Sequence, residues 1–364
     1  MRPPLIHARA LPLAVTSALF LLMFGYGSIS YDGFFSPQVF LNLFIDNAFL
    51  CVAAIGITFV ILSGGIDLSI GAVAALTTMV SAILVQHHHW GVWPATLLVL
   101  AMGTVFGLAM GVMIQVFKLQ PFIVTLGGMF LARGLCYVLS IDSISITDPV
   151  YTAISQHKIM LGAEAFISVN VVIALVVLAL AIYLAHYSRF GRSVYAIGGN
   201  ERSALLMGLP VARTKILVYT LSGFCSALSG VMLTFYMLSG YGLHVQGMEL
   251  DAIAAVVIGG TLLTGGVGYV AGTLVGVLIL GIIQSLIMFD GSFSSWWTRI
   301  AVGGLLCVFC VMQRVLERAK PRLAATSGPA GGAKVADAPK PLPPQAGEPA
   351  RAQSLHTAAM PASR

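Results

Sequence analysis

Long apolar stretches separated by short polar segments make up most of this chain. A helix needs about 20 mostly apolar residues to cross a hydrocarbon core of about 30 Å. The pattern predicts about ten such spans, at 10–29, 43–63, 68–86, 94–116, 121–140, 165–186, 216–238, 250–264, 267–288 and 298–314. These runs are continuous and exceed the ~10 residues of a barrel strand, which disfavours a membrane β-barrel. The predicted fold is an all-α, polytopic membrane helix bundle.

The composition agrees with a chain that lies mostly in lipid. Of the 364 residues, 58% are hydrophobic and 9% are charged, against roughly 25% charged in a soluble domain. This excludes a soluble globular enzyme. The net charge of +6 could indicate nucleic acid, but the basic residues lie in a few loops and at the two ends, so no nucleic-acid partner is expected.

Basic residues predict the orientation, because cytoplasmic loops carry the excess of Lys and Arg. They cluster before the first span, in the loop 187–215 and after the last span. Ten spans place these clusters on one side, which predicts cytoplasmic N- and C-termini. The first apolar run is longer than the 7–15 residues of a cleaved signal peptide, so we expect it to remain as a span.

The domain organisation follows from the same composition. We expect a transmembrane domain over 1–317, with 187–215 as its main cytoplasmic loop. From 318 to 364 the chain is rich in Ala and Pro, and such a segment buries too little apolar surface to fold. We therefore predict a disordered cytoplasmic tail.

Two glycine pairs interrupt the apolar pattern. Gly64 and Gly65 separate the second and third spans, and Gly259 and Gly260 lie near the end of the eighth. One interpretation is a simple helix end, with Asp67 capping the next helix. The other is a break that exposes backbone groups to a polar pathway, and the two are compatible.

Few polar side chains fall within the predicted spans. Asp46 and Asn47 lie near one end of the second span, and Asp251 begins the eighth. For the two carboxylates, interfacial capping is favoured over contact with a polar substrate. Arg133 is interpreted as a buried partner of a carboxylate or of helix-end carbonyl groups.

Catalytic and metal sites are not predicted. The chain has no P-loop motif, so nucleotide-driven work would need another subunit, and we expect no cofactor in this chain. The histidines 87–89 are interpreted as a solvated turn rather than a metal site. The cysteines all fall in apolar spans and are predicted to be buried free thiols: Cys51, Cys136, Cys225, Cys307 and Cys310.

The loop 187–215 contains a predicted helix of its own. Asn200 can cap a helix over 201–207, whose Leu205, Leu206 and Met207 would face water. An exposed apolar helix favours a docking partner over the alternative, a helix lying on the lipid surface.

Three motifs together resemble the permease subunits of bacterial sugar ABC importers, the ribose and galactofuranose group. They are the sequences at 64–69, at 189–200 and at 257–261. Within that group, the segments 46–49 and 289–297 look most like the galactofuranose permeases. The resemblance covers about 10–315, and the long tail departs from it.

The resemblance implies a multi-pass permease of the bacterial inner membrane that pairs with itself or a paralogue. It would receive a sugar from a periplasmic binding protein, and cytoplasmic ATPase subunits would drive it. The coupling segment implied is Gly198, Gly199, Asn200, Ala204, Leu206, Met207 and Gly208. The substrate path is expected around Asn47, Asp67, Ser69, Thr261 and Thr264.

Other transporters remain as alternatives. A permease for branched-chain amino acids or for a signalling furanose fits the same class. An ion-coupled secondary transporter would usually carry paired intramembrane carboxylates or histidines, and this chain has few. A convincing intramembrane catalytic constellation is not found either.

Overall fold

Helices account for most of the chain in the computed structural model, which describes residues 5–162, 165–292, 294 and 296–325. The helices α1 to α13 run, in chain order, over Leu5–Ser30, Pro37–Leu62, Ile70–Ala82, Val92–Val116, Pro121–Leu139, Pro149–Gln156, Val169–Tyr187, Arg189–Gly199, Glu201–Leu206, Val211–Met237, Met248–Ile258, Val270–Asp290 and Trp296–Ala325. A π-helical turn, Ile83–His87, extends α3. The prediction of an all-α membrane bundle is confirmed.

Two small β-ribbons lie among the described connections. β1 (Ile144–Ser145) pairs antiparallel with β4 (Ser239–Gly240), and β2 (Lys158–Met160) pairs antiparallel with β3 (Phe166–Ser168). The second ribbon shortens a predicted span: 165–186 begins as a helix only at Val169, because the preceding residues pair as a strand.

Eight helices of the described chain are long and apolar enough to cross a membrane: α2, α3 with its π turn, α4, α5, α7, α10, α12 and α13. In α1 the described apolar window, Ala14–Ser30, is shorter. α11 has 11 residues, or about 16 Å at 1.5 Å per residue. This helix cannot cross a bilayer by itself, and the predicted span 250–264 consists of this short helix and an irregular segment.

The centre of the bundle is built from α2 and α10. Both are largely buried, and α10 packs against α2, α3 and α4. Glycines allow this close approach: a Cβ on Gly107 of α4 would overlap the carbonyl oxygen of Tyr219, and one on Gly56 of α2 would lie 2.8 Å from Cys225 Cβ. Small residues at such contacts let helix backbones pack tightly within a membrane.

The outer helices leave apolar side chains uncovered. Only 22% of the α5 window and 11% of the α13 window are buried, as expected of faces that contact lipid.

The prediction of five buried thiols is wrong for α13: Cys307 is exposed and Cys310 half-buried, whereas Cys51, Cys136 and Cys225 are buried. All three histidines at 87–89 are exposed, which agrees with the predicted solvated turn, and His87 is the last residue of the π-helical turn.

Contacts divide the chain into two units, Met1–Glu317 and Arg318–Arg364. In the second unit, α13 is described as far as Ala325. The predicted disordered tail starts at 318, so its residues up to Ala325 belong to α13. The rest of the tail, 326–364, lies outside the described residues, and its disorder stays a prediction.

Candidate functional site

The first glycine pair ends α2 and turns the chain toward α3. Gly64 has φ of +81°, a left-handed conformation that glycine adopts without strain. Its amide donates to Ile61 O at 2.9 Å, and the Gly65 amide donates to Val60 O at 2.9 Å. The next helix begins only at Ile70.

Asp67 is held by three hydrogen bonds inside this turn. Its carboxylate accepts from the Ser69 amide (2.9 Å), the Ser69 hydroxyl (2.7 Å) and, from α10, the Ser222 hydroxyl (2.7 Å). The Asp67 side chain is fully buried. Ser69, rather than Asp67, occupies the N-cap position of α3, and its own side chain does not cap the helix. Asp67 is therefore not the N-cap residue itself, but its carboxylate accepts from an amide at the start of α3, as in the predicted capping role, and it also ties the turn to α10.

The second glycine-rich segment joins α11 to α12. Gly259 lies against Gly272 of α12, where a Cβ on either residue would overlap backbone atoms of the other. Gly260 has φ of +91°. Thr261 is fully buried, and its Oγ1 has no hydrogen-bond partner among the described residues. Thr264 is exposed, so these two predicted path residues do not share one environment.

A cavity of about 520 Å³ lies between the N-terminal part of α2, the C-terminal parts of α10 and α12, and the start of α13. It is the right size for a small ligand. Its polar lining residues are Asp46, Asn47, Tyr236, His244, Gln246, Asp251, Gln284, Ser285 and Arg299. Of the five predicted path residues, only Asn47 lines it.

Hydrogen bonds arrange the polar wall of this cavity. The Tyr236 hydroxyl donates to Asp46 Oδ1 at 3.0 Å, and Asn47 Nδ2 donates to the Leu43 carbonyl one helical turn earlier at 2.9 Å. Asp46 is the tenth residue of α2, too far from its end to cap it. The favoured capping interpretation of Asp46 is therefore wrong, and its carboxylate faces the cavity.

Asp251 and Arg299 contribute opposite charges to the same cavity. Asp251 lies in the first turn of α11, where the helix dipole favours a negative charge, and it interacts electrostatically with Arg299. Arg299 Nη2 also donates to the Gln246 carbonyl at 3.0 Å. Arg299 is thus held by a backbone carbonyl group, and no ion pair joins it to Asp251 among the described residues.

The segment 238–247 forms one wall and is fixed by Arg133 of α5. Arg133 Nη1 donates to the carbonyl oxygens of Gly242 (2.5 Å) and His244 (2.9 Å). The predicted pairing of Arg133 with carbonyl groups is confirmed, although these belong to a loop rather than a helix end. Burial, reinforced by the Arg133 charge, lowers the pKa of His244.

The loop 187–215 folds into α8 and α9. Asn200 Oδ1 accepts from the Ser203 amide at 2.9 Å, which confirms the predicted cap, and α9 ends at Leu206, one residue earlier than predicted. Leu206 is 88% exposed and Met207 68% exposed. Gly208, with φ of +77°, ends the helix in the usual left-handed conformation.

Buried contacts join α8 to α9. Ile197 and Ala204 pack with Val211 in one apolar cluster, so Ala204 of the predicted coupling segment faces inward. Tyr195 of α8 donates to the Gly268 carbonyl at 2.8 Å, and burial raises the pKa of Tyr195 to about 12. The two helices thus form one packed element with an exposed apolar edge.

An apolar multi-pass bundle with a cavity that carries polar side chains, together with an exposed apolar loop helix, is typical of a membrane transport subunit. The chain belongs to the family described as branched-chain amino acid transport system / permease component, whose model matches residues 39–310. Members of this family are permease subunits of ABC transporters, which are transport components rather than enzymes.

Individual relatives cover most of the chain. It is 47% identical over 308 residues to the inner membrane ABC transporter permease protein YjfF of Escherichia coli, spanning 85% of this chain and 93% of the relative. It is 40% identical to the fructose import permease protein FruG of Bifidobacterium longum (85% and 93% covered). It is 39% identical to the ribose import permease protein RbsC of Bacillus subtilis (79% and 88% covered). No solved structure matches the chain.

Sequence reasoning missed most of the cavity lining. Tyr236, Gln284 and Arg299 lie in three different helices, and no local motif joins them. Asp46 could have been predicted to line the cavity, because a carboxylate three turns inside an apolar helix has no capping role.

Proposed function

We propose that this chain is the permease subunit of an ATP-driven ABC importer that carries a monosaccharide, galactofuranose or a ribose-like sugar, from the periplasm to the cytoplasm. The observation that carries the proposal is a cavity of about 520 Å³ whose wall includes nine polar or charged side chains. The names of two relatives, a fructose and a ribose permease, support a sugar.

The chemistry of the cavity favours a neutral polyol over an amino acid. Hydroxyls of a sugar act as both donors and acceptors, and the lining offers amides, hydroxyls and a carboxylate. Phe49 and Tyr236 add aromatic surface beside these groups. A zwitterionic amino acid would be held best by two free opposite charges, whereas Arg299 already donates to the Gln246 carbonyl and the Asp46 carboxylate already accepts from Tyr236.

The proposed topology has ten spans, with both termini and the loop 187–215 in the cytoplasm. α1 supplies the first span, and α11 with the segment 259–269 supplies the eighth, as a broken span. Non-helical backbone at membrane depth is tolerated where protein surrounds it. In this orientation the cavity lies toward the periplasmic side of the inner membrane, where a periplasmic sugar-binding protein would deliver its ligand.

Partners supply the remaining functions. ATP hydrolysis takes place in cytoplasmic ATPase subunits that bind the exposed edge of α9, at Leu206 and Met207. A second permease, either another copy or a paralogue, completes the membrane part. The apolar, uncovered side chains of α9 support this docking, since water-exposed apolar surface marks interaction sites.

The substrate is tested by uptake into proteoliposomes that contain this chain with its genomically neighbouring permease and ATPase, and with the neighbouring binding protein added outside. We expect ATP-dependent uptake of a radiolabelled pentose or of galactofuranose. Gln284→Ala should raise the KM, because it removes a cavity amide. Uptake of leucine and of none of the sugars would contradict the proposal.

ATPase docking is tested separately by Leu206→Glu. We expect the ATPase subunits to be lost from the purified complex, because a charge replaces an exposed apolar contact. The matched control is Leu161→Glu, an exposed leucine in the loop predicted on the opposite side. Equal ATPase recovery with both variants would contradict the assignment of α9.

A further inference from the structure

Three glycine-rich segments that are far apart in the sequence meet by backbone contact. They are the turn after α2 at Gly64, the segment after α11 at Gly265 and Gly266, and the end of α8 at Gly198. A Cβ on Gly265 would lie 2.8 Å from the Gly64 amide nitrogen and 3.2 Å from the Cα of Gly198. Each segment therefore touches the other two.

Gly198 lies at the centre of this contact. A Cβ there would overlap the Leu62 carbonyl oxygen and lie 2.5 Å from the Gly266 amide nitrogen. These two groups are themselves hydrogen-bonded, since Gly266 N donates to Leu62 O at 2.9 Å. Gly198 thus packs against a hydrogen bond that joins the end of α2 to the segment before α12.

The contact has little capacity to absorb movement. Flexible side chains can change rotamer when neighbouring helices shift, but at this contact only backbone atoms meet, and close-packed interiors transmit displacement. Tyr195 adds a second connection, through its hydrogen bond to the Gly268 carbonyl. A displacement of α8 would therefore move the Leu62 and Gly266 segments together.

The two connected helices also reach the cavity. α2 ends at this contact and lines the cavity near its other end, through Asp46 and Asn47. α12 begins just after the contact and lines the cavity in its C-terminal half, through Gln284 and Ser285. A shift at Gly198 thus has a direct path along two helices to the polar lining.

We propose that Gly198 is a positioning residue through which movement of the α8–α9 element is passed to α2 and α12 and so opens or closes the cavity. This inference rests on the proposed function, because it requires ATPase subunits that move α9. It assigns a mechanical role to the turn at Gly64 and to the segment at Gly265 and Gly266, as parts of one junction with the coupling segment.

The test is Gly198→Ala in the full reconstituted complex, with Gly303→Ala in α13 as its control. Both glycines are helical, but among the described residues a Cβ on Gly303 meets nothing within 4 Å. For Gly198→Ala we expect sugar uptake per assembled complex to fall about tenfold, with unchanged KM, unchanged ATPase recovery and continued ATP hydrolysis. A merely structural role would lower the yield of complex and leave uptake per complex unchanged.

Two further measurements keep the inference testable if Gly198→Ala does not assemble. Tyr195→Phe removes the hydrogen bond to Gly268 without adding volume. It should reduce uptake by a smaller factor than Gly198→Ala does, again with continued ATP hydrolysis. In the wild-type complex, a nonhydrolysable ATP analogue should change hydrogen exchange in 62–69 and 259–268 together. Full uptake by Tyr195→Phe, or a change in one segment alone, would overturn the inference.

The outcomes separate this inference from the proposed function. If the wild type shows no ATP-driven uptake, the proposed function is overturned and the inference with it. If the wild type takes up sugar and Gly198→Ala does so at the same rate, only the inference is overturned.

Discussion

The buried carboxylate of Asp67 gives a prediction that separates a structural role from a role in transport. Its three hydrogen bonds, of 2.7 to 2.9 Å, go to Ser69 and Ser222. Asparagine preserves this pattern, because its oxygen can accept both Ser69 donors and its amide can donate to the Ser222 hydroxyl. We expect Asp67→Asn to fold and to transport nearly as the wild type does.

Asp67→Ala should be far more damaging. A hydrogen bond to a charged group contributes about 1.5–3 kcal/mol. At the lower figure three bonds contribute about 4–5 kcal/mol, and part of this loss is offset because the substitution also removes a buried charge. At roughly 2 °C per kcal/mol, the expected fall in Tm is on the order of 5–10 °C. Ser222→Ala, which removes one bond, should cost about a third as much.

The assay pairs thermal unfolding of the detergent-solubilised protein, followed by tryptophan fluorescence, with uptake by the same variants in proteoliposomes. The order of Tm should be wild type, Asp67→Asn, Ser222→Ala and Asp67→Ala. A normal Tm with abolished uptake in Asp67→Asn would refute the reasoning, since it would show that transport needs the charge itself.

Three further predictions follow from single contacts. Arg133→Leu should reduce uptake and lower the Tm, because two loop carbonyl groups lose their donor, and Arg133→Lys should partly restore both; equal Tm values for the two variants would contradict this role. Tyr236→Phe should raise the KM for the sugar several-fold with little change in Tm, because Asp46 loses its hydroxyl partner; an unchanged KM would remove this pair from the binding site. Gly107→Val should abolish assembly, because its side chain would overlap the Tyr219 carbonyl oxygen and overpacking destabilises the fold by about 1–3 kcal/mol or more. The measurement is the yield of monodisperse protein, and a normal yield would contradict the α4–α10 contact.

Hydropathy was sufficient to predict an all-α membrane bundle, because length and apolarity are properties of continuous segments, whereas the structure describes eight helices long enough to span and the count of ten stays a prediction. The ends of α4 and α5 agree with the predicted spans to within two residues. The cap at Asn200 was also predictable, since it depends on one side chain and an amide three residues later. The start of α7 was not, because β3 pairs with a strand that periodicity does not reveal.

The candidate site was less predictable than the fold. Asp67 and Thr261 stand out in the sequence as polar residues beside glycines, yet both are buried in packing contacts away from the cavity lining. The cavity instead depends on how α2, α10, α12 and α13 come together. Likewise, the contact of Gly198 with Gly265 joins residues 67 positions apart, and only the fold brings them together.

We propose that separate ATPase subunits, rather than an ion gradient, drive this permease. The most direct measurement is sugar uptake by proteoliposomes with and without the ATPase subunits, each with and without a protonophore. We expect uptake that requires the ATPase subunits and ATP and that the protonophore does not affect. Uptake without ATPase subunits that the protonophore abolishes would contradict it.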